Sequence, residues 1–323
     1  MSVSVVVPCY RSAATLPALA ARIHDVLPAH VTDFEIVLVV DGGDRETWTT
    51  AAGLDRGSRH VRALRLNRNY GQHNALLAGV RAARHDVVVT MDDDLQHRPE
   101  EIPALLGALT DDVDLVYGVA ADEEHGVARS LASRLVKATL QRTMRVGKAH
   151  RLSAFRAFRT FLRTGFTQLH GSQVSLDVAL SWCTTDIAAV TVRMDERAVG
   201  RSNYTVRMLI RHTLNMAFGY STGPLRLVTY LGIGVGVLGL ALLGRVLHLY
   251  FSGETTVAGF TTLASMVALF SAAQMIATGV LGEYIGRIHS RGLGLPTYVI
   301  RPGGAAGSEP SVPGQVSPQS ASH

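Results

Sequence analysis

The sequence predicts an α/β protein. Its core is a doubly wound, mainly parallel sheet, followed by amphipathic interfacial helices and a two-helix transmembrane hairpin. Three observations carry this. Strand-like and helix-like segments alternate through the first third of the chain. Acidic and turn-forming residues gather at the C-terminal ends of the strand-like segments. Two long apolar stretches, 227–251 and 257–285, come late in the chain.

The alternation begins with a strand at "VSVVVP" (3–8) and a helix at "AATLPALAARIHDVL" (13–27). A strand "FEIVLVVD" (34–41) and a helix from Arg45 follow. Next come a strand "VRALRLN" (61–67), a helix "NALLAGVRAAR" (74–84) and a strand "DVVVTMD" (86–92). The run closes with a helix near "PEEIPALLGAL" and a strand "DVDLVYGV" (112–119). In sheets of this kind ligands collect beyond the carboxyl ends of the strands. "VPCY", "VVDGG" and "MDDDLQ" fall at such ends.

The middle of the chain changes character. Segment 127–145 places Val127, Leu131, Leu135 and Leu140 among Arg129, Arg134, Lys137, Arg142 and Arg145, which suits either a surface helix or a membrane-surface helix. Segment 205–220 is similar and directly precedes the first apolar stretch, so an interfacial helix is expected there. Each apolar stretch exceeds the ~20 residues needed to cross a bilayer. Gly232, Gly234, Gly236 and Gly239 give the first a small-residue face for helix packing. Arg207, Arg211 and Arg226 flank its entry, and Arg287, His289 and Arg291 flank the exit of the second. The turn "SGETT" carries no Lys or Arg, so the positive-inside rule puts both termini in the cytoplasm. The expected organisation is a cytoplasmic catalytic domain over 1–200, a juxtamembrane segment over 201–224, two membrane helices within 225–288, and a cytoplasmic tail over 289–323. The Pro-, Gly- and Ser-rich composition predicts disorder from about 301.

Bulk composition agrees with a membrane part: 47% of residues are hydrophobic, only 18% are charged, and the mean hydropathy is +0.19. The net charge of +5 suits nucleic acid, an anionic membrane or a phosphorylated substrate. The basic residues cluster beside apolar segments with no recognisable nucleic-acid module, which disfavours the first. Cys9 and Cys183 form neither a disulfide framework nor a zinc-type spacing, which suits a reducing cytosol. The N-terminus lacks the features of a secretory signal.

The chemistry is written in "VVVTMDDDLQHRPEE" (87–101). Three adjacent carboxylates repel one another unless they are solvated, cap a helix or bind a cation. Asp92 and Asp94 are two residues apart, so in an extended chain they point the same way. They could share a hard cation such as Mg2+ or Mn2+ with phosphate oxygens and neutralise a leaving diphosphate. His73 and His97 read as polar surface groups or as groups behind the ligands. Trp182 and Cys183 read as core, and Asp177 as an exposed helix face rather than a base.

A set of segments resembles the family-2, GT-A-fold glycosyltransferases. They are "VVVPCYRS", "VLVVDGGDRETW", "LNRNYGQHNALLAGVRAARHDVVVTMDDDLQHRPEEIPALL", "RAVGRSNYTVRMLI", "STGPLRL" and "LGEYIGRI", between residue 3 and about 288. The resemblance lies in the branch of dolichol-phosphate mannose synthases and of undecaprenyl-phosphate aminoarabinose and glucose transferases. It implies a membrane-bound inverting enzyme of the bacterial inner membrane. Such an enzyme moves a sugar from a UDP- or GDP-linked donor to a polyprenyl phosphate, and it is compatible with a homo-oligomer. It implies that Pro8, Tyr10 and Asp41 line the base and ribose, that Asn69, Gly71 and Gln72 lie close to the nucleotide, and that Asp93 sits beside the ribose. It implies that Asp92, Asp94 and Gln96 hold the metal, that Arg197 clamps the diphosphate, and that Arg129, Arg151 and Ser153 receive the lipid phosphate. Departures from the family pattern fall at Arg11, Ser12, His150, Asn203 and "DGGDRET". Two alternatives stay open: a processive polysaccharide synthase, though no Gln-x-x-Arg-Trp motif occurs, and a non-catalytic membrane scaffold.

Overall fold

In the computed structural model the described residues are 1–42, 45–120, 153–167, 175–195, 223–253, 259–293 and 295–302. They divide into two compact units, one holding a sheet with its helices and residues 296–302, the other holding two long helices.

The first unit begins with β1 (Ser2–Cys9), α1 (Leu16–Val26), β2 (Asp33–Val40), α2 (Arg45–Gly57), β3 (Val61–Arg65), α3 (Gln72–Ala82) and β4 (Val87–Thr90). A 3-10 turn at Pro99–Glu101 leads into the short α4 (Ile102–Gly107), and β5 (Leu115–Ala120) follows. Beyond it lie β6 (Arg156–Arg159), a 3-10 stretch over Thr160–Phe166, α5 (Leu176–Cys183) and β7 (Ile187–Val192). The seven strands form one sheet in the order β3-β2-β1-β4-β6-β5-β7. All pairings are parallel except that β6 runs antiparallel to both β4 and β5. The mixed, mainly parallel α/β architecture is thus present.

The strands read as unbroken apolar runs because both faces of the sheet are covered. Side chains alternate: Val5 and Val7 of β1 pack with Leu16, Leu19 and Ile23 of α1 on one face, while Val6 packs with Ala75 to Val80 of α3 on the other. Gly79 of α3 lies so close to Val6 that a methyl group there would collide with its side chain. Near the N-terminal ends of β1 and β2, the buried Glu35 carboxylate accepts from the Ser4 hydroxyl and pairs with Arg62.

Residues 296–302 run back along the sheet edge. Asn67 donates its N–H to the Val299 carbonyl (2.8 Å), Arg301 donates to the Arg65 carbonyl (2.8 Å), and Leu66 bridges Ile300 in antiparallel fashion. The exposed edge of β3 is therefore covered up to residue 301, where the sequence suggests a tail. Residues 303–323 lie outside the described residues.

The second unit contains α6 (Gly223–Phe251) and α7 (Phe260–Gly292), 29 and 33 residues long. Counted over described side chains, no helix is long and apolar enough to cross a membrane. The described side chains leave out positions 223, 224, 226, 227, 242, 243, 246, 247 and 250 of α6 and 260–262, 264, 265, 268, 287, 290 and 291 of α7. Both helices leave large apolar side chains open, among them Leu231, Ile233, Val237, Leu240, Met275 and Ile276. The glycine face contributes less to packing than its spacing suggests. Only Gly239 meets a close neighbour, Phe270 of α7, at 2.8 Å from where a Cβ would sit, while Gly232, Gly234 and Gly236 have open space.

Candidate active site

Four loops meet at the C-terminal ends of β1, β2, β3 and β4. Together Pro8, Cys9, Tyr10, Asp41, Asn69, Gly71, Gln72, Asp92, Asp93 and Asp94 line one open pocket of about 250 Å3. Every residue that the resemblance assigns to the nucleotide sugar lines this pocket, and so does Asp94. Gln96 does not. Cys9 lines it as well, and burial pushes its thiol up, so it is no ready nucleophile.

The loops are tied to one another through their backbones. Asp41, at the end of β2 and 3% exposed, accepts the N–H of Tyr70 and that of Gly71, each at 2.7 Å. Burial raises its pKa, and those two N–H groups pull it back down. Gly42 follows with φ +62, and a side chain there would collide with the backbone of Arg68 and Asn69. At the start of α3, Gln72 reaches across to Asp92 with its amide (2.6 Å).

The three aspartates do not point to one place. Asp93 turns back under β1, where its carboxylate accepts the Tyr10 N–H at 3.0 Å. Burial raises its pKa, against the lowering effect of its hydrogen bonds with Ser12 and Tyr10. Asp94 accepts the N–H of Gln96 (3.1 Å) across a turn in which Leu95 takes φ +64. A branched aliphatic residue in the left-handed region is strained by ~1–3 kcal/mol, a cost met mostly at functional loops. Arg11, beside Tyr10, has φ +55, so both loops facing the pocket are locally strained. Among the described residues no cluster of three or more His, Cys, Asp or Glu side chains could hold a metal. Asp92 and Asp94 supply hard oxygen donors, so a cation held there would complete its shell with diphosphate oxygens.

Of the two sequence readings of His97, a polar surface group or a group behind the ligands, the structure bears out the second. It is 6% exposed, and its Nδ1 accepts the Asp92 N–H at 3.0 Å while its ring stacks on Phe155. Its pKa is pushed down to about 4, chiefly by burial and further by Arg156, against the opposing pull of Asp94. Only the neutral ring can accept from Asp92. The unfolded chain binds a proton near pH 6.5 and the folded one does not until about pH 4. Stability is therefore complete above ~6.5 and falls as pH drops toward 4, by on the order of 3 kcal/mol. Thermal unfolding of the wild type is expected to become more acid-sensitive across this window than that of His97→Phe. Equal slopes would overturn this account of His97.

Asp177 is likewise not on an exposed helix face. It pairs with Arg156, which is 1% exposed, and accepts the Tyr117 hydroxyl at 3.3 Å. Trp182, expected in the core, is 61% exposed, and Cys183 is only partly buried. Ser153 lies beside Arg156, and its Oγ accepts the Phe155 N–H at 3.2 Å. Arg129, Arg151 and Arg197 lie outside the described residues, as do segments 127–145 and 205–220. Within the described residues, Asp195 donates its N–H to the Gln96 carbonyl (2.9 Å) and Met194 bridges His97. The sequence reading missed Arg156, Tyr117 and the β6 and β7 strands. The detectable signals were a lone acid amid the apolar "SLDVAL" and the β-branched run "IAAVTV".

The model for "Glycosyl transferase family 2" matches residues 4–166. The chain is similar to undecaprenyl-phosphate 4-deoxy-4-formamido-L-arabinose transferase of Yersinia pestis (strain Pestoides F) and to the protein of the same name from Yersinia enterocolitica serotype O:8. With each it shares 32% identity over 302 residues, 93% of this chain and 92% of the relative. Among solved structures it is similar to glucosyl-3-phosphoglycerate synthase from Mycobacterium tuberculosis in complex with Mn2+ and UDP-glucose. The TM-score is 0.47 and the identity 20%, over 67% of this chain and 77% of that one.

Proposed function

We propose, from the premise that this chain belongs to glycosyl transferase family 2, that it is a membrane-bound inverting glycosyltransferase. It moves a sugar from a nucleotide-diphosphate sugar to a polyprenyl phosphate. The observation that carries the reading is the pocket where four strand ends bring Tyr10, Asp41, Asn69, Gly71, Gln72 and the aspartates together. The relatives' names, which specify undecaprenyl phosphate and an arabinose derivative, support a polyprenyl phosphate acceptor and a nucleotide-linked donor. The donor nucleotide is uridine or guanosine diphosphate.

In this reading Pro8, Tyr10 and Asp41 frame the base and ribose, with Asn69, Gly71, Gln72 and Asp93 around them. Asp92 and Asp94, helped by Gln96, would hold Mg2+ or Mn2+, which when bound neutralises charge on the departing diphosphate. Arg197 would add a guanidinium to the same charge. Arg129, Arg151 and Ser153 would orient the acceptor phosphate. An acceptor oxygen attacks the anomeric carbon as the bond to the diphosphate oxygen breaks on the opposite face, which inverts the configuration. The phosphate is already anionic at neutral pH, so the protein's task is positioning and charge neutralisation. The testing experiment incubates the full chain with a panel of UDP- and GDP-sugars and undecaprenyl phosphate, with mass analysis of the lipid. A sugar-phosphate lipid is expected, and none from any donor would sink the reading.

Membrane attachment belongs to the same proposal, with residues 1–200 as the cytoplasmic catalytic domain, 201–224 as a juxtamembrane segment and two crossings within 225–288. It is supported by the length of α6, about 43 Å at 1.5 Å per residue against a hydrocarbon core of about 30 Å, and by the apolar side chains both helices leave open. A reporter fused after Arg301 is expected in the cytoplasm and one in the turn at 252–256 outside. Finding both on one side would rule out the hairpin.

A further inference from the structure

Residues 296–302 make two backbone bonds to the sheet edge, one at Arg65 and one at Asn67, each 2.8 Å. Arg65 is the last residue of β3 and Asn67 the second beyond it, so the two bonds flank the Leu66–Ile300 bridge. Two residues after Asn67 comes Asn69, the first residue of this loop to line the nucleotide pocket. On its other side Leu66 donates its N–H to the Val40 carbonyl at 2.9 Å. The entry to the loop is thus hydrogen-bonded from both sides. The same segment also braces the element into which the loop leads. Tyr298 and Ile300 pack against the apolar cluster that includes Leu66 and, from α3, Ala75 and Leu76; Tyr70 of the loop packs against it too. The Arg81 guanidinium of α3 lies 5.7 Å from the centre of the Tyr298 ring. Arg81 is itself held by the carbonyls of Phe166 and Thr167, at 3.2 and 2.9 Å.

Covering an unpaired strand edge does not by itself require this placement. Further back along β3 the edge is met by α2, where Asp55 accepts the Ala63 N–H at 3.3 Å. Among the described residues the backbone bonds from 296–302 fall only where strand gives way to loop. Residues 67–71 belong to neither strand nor helix, so their conformation rests on what grips them. Asp41 holds them at Tyr70 and Gly71, and the returning segment holds them at Asn67. A binding loop that is already ordered loses less freedom when its ligand arrives, and the ligand binds more tightly by that difference.

We propose that residues 297–301 are a positioning element for the donor nucleotide. By fixing residues 65–67 and bracing α3 through Tyr298, they hold Asn69, Gly71 and Gln72 in the conformation that binds the nucleotide sugar. None of the five lines the pocket, so they act only through the loop. The proposal rests on the glycosyl-transfer reading, through the nucleotide it places in that pocket.

The test compares variants of the full chain in detergent. Arg301→Pro deletes the N–H that the Arg65 carbonyl accepts. The Arg301 side chain is exposed, and a residue that precedes Pro302 is already confined to extended backbone, so little else changes. Tyr298→Ala removes the ring beside Arg81, and Tyr298→Phe keeps it. Ile23→Val, in the core on the other face of the sheet, supplies a loss of stability unrelated to the loop. Binding of UDP and GDP, the KM for the sugar donor and for undecaprenyl phosphate, and amide exchange at 67–72 are measured. Arg301→Pro and Tyr298→Ala are each expected to weaken the nucleotide and raise the donor KM roughly two- to tenfold, the range of one backbone hydrogen bond. The lipid KM and the turnover at saturating donor are expected to stay near wild type, and exchange at 67–72 to quicken. Tyr298→Phe is expected to bind as the wild type does, and Ile23→Val to lower the unfolding temperature with the donor KM unchanged. Unchanged nucleotide binding in both Arg301→Pro and Tyr298→Ala overturns the proposal. So does a rise in both KM values together, an equal rise in Ile23→Val, or a Tyr298→Phe as weak as Tyr298→Ala. If the wild type binds neither nucleotide and transfers no sugar, the glycosyl-transfer reading fails. Exchange at 67–72 still judges whether residues 297–301 hold the loop, and unchanged exchange in Arg301→Pro overturns that.

Discussion

Asp94→Asn is expected to lower turnover by at least 10²–10³-fold while the protein stays folded. Losses of that size follow when one preorganised group that stabilises transition-state charge is removed. Asparagine is the sharper choice over alanine here. Asp94 accepts the Gln96 N–H within a turn that forces Leu95 to φ +64, and an amide oxygen can keep that bond. The variant therefore removes charge and leaves the loop. Asp94 lies at the open pocket rather than in the core, so little packing is lost with it. Excess chelator is expected to bring the wild type to the same low rate, and added Mg2+ or Mn2+ to restore the wild type but not the variant. Near-full activity in Asp94→Asn, or in the chelated wild type, would remove the metal from the proposal.

The same loop shows what the sequence could and could not disclose. The runs at 3–8, 34–41, 61–67, 86–92 and 112–119 announced β1 to β5 because strands buried on both faces need only apolar, β-branched content, and that is local. Their common C-terminal ends announced the pocket, because a parallel sheet sends every such end the same way. What stayed hidden depends on partners far along the chain. "RAFR" does not read as a buried strand, since two of its four residues are arginine. Arg156 is buried only because Asp177, 21 positions later, neutralises it. Asp177 looked solvated for the converse reason. His97 stayed undecided between the surface and a place behind the ligands, because nothing local reveals that Phe155 would cover its ring and Asp92 would donate to it. The alternation along an extended chain already set Asp93 apart from Asp92 and Asp94. What it could not name were the partners: Asp93 turns back to Tyr10, and Asp92 lies beside Gln72.

Asp41→Ala is expected to weaken nucleotide binding by roughly ten- to a hundredfold or more, with a different pattern from Asp94→Asn. Asp41 joins the end of β2 to the loop before α3 through two N–H···O bonds of 2.7 Å, to Tyr70 and Gly71. Hydrogen bonds to a charged group are worth ~1.5–3 kcal/mol each, and a donor left buried without a partner costs ~1–3 kcal/mol. The two losses do not simply add, because residues 69–71 can relax toward water once released. That relaxation is the reason binding suffers. Asn69, Gly71 and Gln72 line the pocket from this loop, and Gly42 keeps β2 close enough for its backbone to rest against Arg68 and Asn69. Asparagine is not a safe substitute, since its amide nitrogen would face one of the two N–H groups. A charge-only role at the diphosphate and a loop-building role separate on one measurement. Asp94→Asn is expected to weaken a nucleoside diphosphate in the presence of metal while leaving the nucleoside alone unaffected. Asp41→Ala is expected to weaken both, with or without metal, and to lower the unfolding temperature. If Asp41→Ala bound the nucleoside as the wild type does, the loop would be held by something other than this carboxylate, and the pocket's assembly would need another cause.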